Sequence, residues 1–220
     1  MTSLQGKTAL VTGGSSGVGK ATVKVLISEG VRVTAVARGA DRLRALEAEA
    51  GDGLATIQGD TADPAYAERL LRELRPNLVV LSAGVTPRMG RLDELDWESF
   101  SETWNGDLKA SFHFLKQALR LPLPNGSSVV VVSSGAAIRG SPLSGGYAGA
   151  KRMQWLLAGY AQRVSDAKKL GIRAVAVLPN QLIEGTTIGA RAAAAYGAMN
   201  GITPEAFMNR FRVSLDVGCH

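Results

Sequence analysis

Short runs of valine, leucine, alanine and threonine alternate along this chain with longer stretches whose apolar residues recur every three or four positions. Residues 8–11, 31–36, 54–58, 78–81, 128–132 and 173–178 read as strands. Residues 19–29, 41–50, 65–74 and 147–169 read as helices, and 97–119 as one or two more. The strand runs are continuously apolar rather than alternating, which predicts strands covered on both faces, hence a parallel sheet between two layers of helices. Right-handed crossovers then give an α/β doubly wound fold. No linker or repeat interrupts the pattern, so residues 1–220 read as a single domain. An alanine-rich stretch, residues 190–198, follows the sixth strand and suits either a flexible lid or an ordinary surface helix.

Composition narrows the function classes. Apolar residues make up 45% of the 220 residues and charged ones 20%, ordinary values for a soluble globular chain with ample core. The net charge of +6 suits nucleic acid, an anionic membrane or an anionic small molecule. Acids interleave with bases, as in Asp41-Arg42-Leu43-Arg44, and aromatics are only 5%, so nucleic acid is not the expected partner. A phosphorylated cofactor is. The single cysteine, Cys219, excludes an intrachain disulfide, and His113 and His220 show no metal-ligand spacing, so no metal is expected. The first residues carry no apolar leader and no run approaches the ~20 residues of a membrane span, which predicts a cytoplasmic protein.

Between the first strand and first helix lies Thr12-Gly13-Gly14-Ser15-Ser16-Gly17-Val18-Gly19. Glycines there let the backbone turn tightly and approach a pyrophosphate, while the helix N-terminus offers N–H donors and a positive dipole. Candidate dinucleotide-binding residues are therefore Gly13, Ser15, Ser16, Gly17, Val18 and Gly19. The end of the second strand, about twenty residues on, reads the adenosine ribose. It carries Arg38 and no acid until Asp41. A guanidinium suits a 2′-phosphate, so NADP(H) is expected rather than NAD(H).

Tyr147 and Lys151 stand at i and i+4, on one face of a helix, with Ser134 upstream just past the fifth strand. A phenol alone titrates near 10 and is a poor base at neutrality, but an adjacent ammonium favours the phenolate. With its TGxxxGxG turn upstream and Ser…YxxxK downstream, the chain resembles the classical short-chain dehydrogenases/reductases from Leu4 to about Thr187.

That resemblance implies a Rossmann-like sheet in the order 3-2-1-4-5-6. It also implies an oxidoreductase that moves a hydride between a nicotinamide dinucleotide and a carbonyl or alcohol. Tyr147 would be the acid/base, Ser134 the hydrogen-bonding partner of the substrate oxygen, and Lys151 the residue that tunes the tyrosine and holds the ribose. Asp60 would contact adenine, and Ser82-Ala83-Gly84 would stand where the family has Asn-Ala-Gly, as a cofactor wall. Asp107 falls where the family's fourth catalytic residue is an asparagine, and Pro179 precedes Asn180 where a glycine is usual. Residues 140–146 and about 188–210, small and apolar, would form the substrate wall around a hydrophobic or small carbonyl. A catalytically silent dinucleotide-binding relative, acting as a sensor or scaffold, is the alternative. A Ser-His-Asp hydrolase fails for want of a GxSxG elbow.

Relatives of this type continue through one more helix and edge strand, whereas this sequence ends at Val217-Gly-Cys-His220. Six strands are expected, with residues after about Ile188 mobile or covering the exposed edge. Assembly is expected as a homodimer or homotetramer. The dimer would form through helices 97–119 and 147–169, using Phe112, Phe114, Leu115, Trp155 and Leu156.

Overall fold

The structure, a computed structural model, describes residues 3–180, 182 and 184–212. Strand β1 (Thr8–Thr12) is central and pairs in parallel with β2 (Arg32–Ala37) on one side and β4 (Leu78–Leu81) on the other. With β3 (Leu54–Gln58), β5 (Ser128–Val132) and β6 (Arg173–Val177), the sheet runs β3-β2-β1-β4-β5-β6, every pairing parallel. Order reverses at β1, so a crevice opens beyond the carboxyl ends of β1 and β4, where α/β sheets bind ligands.

Alternate strand residues feed two cores. Leu10, Val36, Val79, Val129 and Val131 face α3 (Pro64–Leu74), α5 (Lys109–Arg120) and α7 (Gly146–Ala167). Val11, Val33, Ala35 and Val80 face α1 (Gly17–Ser28) and α2 (Ala40–Ala50) through Val23, Leu26 and Leu46. Double-sided burial explains the unbroken apolar runs.

Residues 97–119 divide into α4 (Trp97–Thr103), a π-helical turn (Trp104–Leu108) and α5. Asp96 caps α4, its carboxylate accepting from the Ser99 amide at 2.7 Å. The extra residue of a π turn rotates the side chains that follow, and it falls at Asp107. Two residues expected at a subunit face are core instead: Phe114 is 0% exposed and Leu115 4%, both packed under the sheet. Phe112, Trp155 and Leu156 do face outward.

Past β6 the described part of the chain is mostly helical. It forms α8 (Thr187–Met199), capped by the Thr186 hydroxyl, and α9 (Pro204–Arg212). The two helices pack on each other, with Tyr196 stacked on Phe207 at 5.7 Å, and close one wall of the crevice. Ala192 and Ala193, from the alanine-rich stretch, are buried. Val217 to His220 lie outside the described residues. No helix among the described residues is long and apolar enough to cross a membrane.

Candidate active site

The cleft begins at the glycine turn. A side chain on Gly13, at φ 67°, would lie 2.7 Å from the Ala83 backbone, and one on Gly19 would lie 2.3 Å from the Gly13 carbonyl. Glycine is thus obligatory where the turn closes against β4 and α1. The Thr12 hydroxyl ties the two strand ends together, accepting from the Ser82 and Ala83 amides at 3.1 and 3.2 Å. Ser16 precedes α1 in extended conformation without capping it, so the first amides of α1 point at the cleft free of side-chain competition. That cradle suits a pyrophosphate.

One end of the crevice is a lobe lined by Ser15, Ser16, Arg38, Arg42, Asp60 and Thr61. The Asp60 carboxylate also accepts from the Ala62 amide at 3.0 Å, fixing the loop after β3. Arg38 sits just past β2, its carbonyl accepting from Gln58 at 3.0 Å. Asp41, the nearest acid in sequence, is engaged by Arg44 rather than by Arg38 or Arg42. Two guanidiniums thus face this lobe, and neither makes an ion pair among the described residues. Arg42 escaped the sequence reading. Its signal was its position in the first turn of the helix after Arg38.

The other end is a cleft of about 660 Å³. Gly17, Val18, Ser82, Gly84, Asp107, Ser134, Tyr147, Lys151 and Pro179 all border it. Ser134 stands in the loop after β5, accepting from the Ala136 amide at 3.2 Å. Tyr147 and Lys151 project from the first turns of α7, with the ammonium 5.6 Å from the Tyr147 ring centre. Lys151 is held from both sides. Its ammonium donates to the Val132 carbonyl at 3.3 Å, and its own carbonyl accepts from Ser133 at 2.7 Å.

Asp107 lies fully buried beneath this cluster, one oxygen accepting from the Val85 amide at 2.7 Å and the other 3.1 Å from Lys151 Nζ. The Lys151 contact is an ion pair rather than an aligned hydrogen bond. The Asp107 carbonyl accepts from Gln154 and from Ser111, each at 3.0 Å. Asn105 instead faces outward and bonds Ser101. Pro179 accepts from the Gly135 amide at 2.7 Å, closing the floor between the β5 and β6 loops.

Every candidate from the sequence except Gly19, which is buried behind the turn against Gly13, therefore borders one continuous crevice, with Asp60 and Ser15 at one end and Tyr147 and Ser134 at the other. The sequence reading also missed Tyr196, which reaches this crevice only through the packing of α8, and Val85, whose amide anchors Asp107.

A sequence model of the short chain dehydrogenase family matches residues 7–195. A short chain dehydrogenase/reductase of Macrophomina phaseolina is 32% identical over 157 residues, covering 66% of this chain and 89% of its own. A 2,5-dichloro-2,5-cyclohexadiene-1,4-diol dehydrogenase of Sphingobium indicum is 30% identical over 186 residues, covering 81% of this chain and 74% of its own. The crystal structure of levodione reductase superposes with a TM-score of 0.80 at 23% identity, over 94% of this chain and 82% of that one, and so shares the fold. The chain belongs to the short-chain dehydrogenases, NAD(P)-dependent oxidoreductases built on this sheet.

Proposed function

We propose that the protein interconverts an alcohol and a carbonyl with NADP(H), using Tyr147 as acid/base. The observation that carries this reading is the convergence of Ser134, Tyr147 and Lys151 on one cleft whose other end presents Arg38 and Arg42. The glycine cradle, the open N-terminus of α1 and the paired guanidiniums fit a dinucleotide bearing a 2′-phosphate. Gly13, Ser15, Ser16, Gly17, Val18 and Gly19 would hold the pyrophosphate, and Ser82, Ala83, Gly84 and Pro179 would wall the remainder. When bound, the nicotinamide supplies or accepts the hydride.

The chain's own residues manage the proton. In reduction, Tyr147 Oη donates a proton to the carbonyl oxygen as negative charge develops there, while the Ser134 hydroxyl hydrogen-bonds the same oxygen. In oxidation the phenolate takes that proton back. Lys151, with one donor on Val132, holds its ammonium 5.6 Å from the Tyr147 ring centre. A lysine has three donors, and one remains for a ribose hydroxyl.

The apolar wall and the cyclic diol named for the Sphingobium relative favour a ring-bearing alcohol over a sugar or an acid. Assembly would be as a homodimer through the outer faces of α5 and α7. The second reading, a silent dinucleotide-binding relative, draws on the Asp107 carboxylate, which competes for Lys151.

Turnover of a ketone and alcohol panel by wild type and Tyr147→Phe separates the two readings. Acid–base catalysis contributes about 10²–10⁴-fold, so the variant should lose at least a hundredfold in kcat with cofactor affinity nearly unchanged. Ser134→Ala should cost as much or less. Tyr147→Phe activity within tenfold of wild type would refute the assignment.

A further inference from the structure

One feature of the crevice plays no part in the chemistry above. Three hydroxyls, from Tyr196 on α8 and from Ser141 and Ser144 in the loop before α7, form a connected chain in the cleft that holds Ser134 and Tyr147. Each hydroxyl has one proton and two acceptor sites, and this count fixes the direction of the chain.

Ser144, 4% exposed, donates to the Ser141 carbonyl at 2.8 Å and accepts from the Ser141 amide at 2.6 Å. Its proton is spent, so it can only accept from Ser141 Oγ, 3.0 Å away. That spends the Ser141 proton, so Ser141 Oγ accepts from Tyr196 Oη. Protons therefore run from Tyr196 to Ser141 to Ser144, and the chain ends at the cleft in lone pairs on the phenol oxygen. Burial raises the Tyr196 pKa above 10, with Ser144 partly offsetting it, so the phenol keeps its proton at neutrality. Stacking on Phe207 holds the ring in place.

We propose that Tyr196, set by Ser141 and Ser144, is a specificity-determining residue that accepts a hydrogen bond from a second hydroxyl of the substrate. The preferred substrates are then cyclic diols and hydroxyketones, in which one oxygen reacts at Ser134 and Tyr147 while the other is a hydroxyl donor. Pro87, Met89, Leu182, Ile188, Ala192 and Phe207 supply apolar surface for the carbon ring between them. A carbonyl or ether in the second position has no proton to give, and a mono-alcohol leaves the phenol oxygen unpaired. This inference rests on the catalytic reading only for which oxygen reacts.

The test is calorimetric titration of the full chain, saturated with NADP⁺ or NAD⁺ (whichever binds tighter), with the cyclohexanediol isomers, their monomethyl ethers and cyclohexanol. A neutral hydrogen bond in a desolvated site is worth about tenfold in affinity. At least one diol should bind about tenfold tighter than its ether and than cyclohexanol. Tyr196→Phe, which keeps the stack, should erase that advantage while binding cyclohexanol at least as tightly as wild type does, and Ser141→Ala should reduce it. Absence of a diol advantage in wild type would overturn the proposal. So would a Tyr196→Phe variant that retains the advantage, or one that weakens all three ligand classes alike, as a mere latch on α8 would. Turnover followed by NAD(P)H absorbance separates the layers: a diol advantage in binding without turnover of any alcohol leaves Tyr196 standing and removes the catalytic reading.

Discussion

Lys151 and Asp107 form a buried ion pair, with Nζ 3.1 Å from Oδ2 and the two side chains 7% and 0% exposed. Low local dielectric makes this pair consequential whatever its net effect on stability. Removing one partner leaves an uncompensated buried charge, so Asp107→Ala should destabilise the fold by about 3–5 kcal/mol. Asp107→Asn keeps the shape and the contact with the Val85 amide but removes the negative charge. The Lys151 ammonium then loses its carboxylate partner and is left to serve the cleft, so kcat for alcohol oxidation should rise. An unchanged or lower kcat for Asp107→Asn would contradict this coupling.

The two guanidiniums Arg38 and Arg42, facing one lobe of the crevice, make a cofactor prediction. A charge-assisted hydrogen bond contributes about 1.5–3 kcal/mol, or roughly tenfold to a hundredfold in affinity. Arg38→Ala should weaken NADPH binding by that factor and leave NADH binding within about twofold. Arg42→Ala, also at an exposed guanidinium facing this lobe, should act the same way. Fluorescence titration with both cofactors reads this directly. Equal wild-type affinities for NADPH and NADH would remove the phosphate assignment.

His113, on α5, provides a pH dependence of stability. Burial holds its pKa below the ordinary 6.5, Lys109 and Lys116 push the same way, and Asp63 opposes them weakly. Its Nε2 is buried without a hydrogen-bond partner. The folded chain thus binds this proton less readily than the unfolded chain does. The contribution to stability is complete above about 6.5 and is lost as pH falls through the folded value. Thermal melts from about pH 7.5 down to about pH 5 should fall more steeply for wild type than for His113→Gln. The difference should be about 1–2 °C, because the group is only partly desolvated. Parallel curves would mean that His113 does not titrate in this window.

Much of this was readable from the chain because its signals are local. Val129, Val131, Leu10 and Val79 lie in apolar runs that only a doubly covered strand needs, and the sheet order came with the family resemblance of the TGxxxGxG and YxxxK motifs. Tyr147 and Lys151 are one helical turn apart, so their spacing alone puts them together. What escaped depends on packing between distant segments. Trp104–Leu108 reads as ordinary helix, yet a π turn there swings Asp107 under Lys151 while Asn105 faces solvent. Phe114 has the hydrophobicity of an interface residue, and only the position of α3 against α5 makes it core. Tyr196 sits in an alanine-rich stretch with no spacing to mark it. Its partner Ser141 is 55 residues away.

The last prediction concerns assembly. Leu156, Tyr160 and Val164 recur every four residues along α7, so they line one face, and they are 37%, 46% and 37% exposed. Trp155 flanks them, stacked by Arg152 at 4.6 Å, and Phe112 continues the surface onto the neighbouring helix α5, at 45% exposed. Large side chains this exposed and contiguous on two long helices are uncommon on monomers, and they suit a self-complementary face on a two-fold axis. A second copy of this chain would bury them by packing its own α5 and α7 against these. The sheet edge at β6 offers a second route to larger assemblies, but its strand is short, with only five residues. The expected species is therefore a dimer. Light scattering at micromolar concentration should give twice the chain mass for wild type, and Leu156→Glu with Tyr160→Asp should halve it while leaving the circular dichroism spectrum intact. A monomeric wild type, a stable tetramer, or a double variant that still dimerises would each show that another surface governs association.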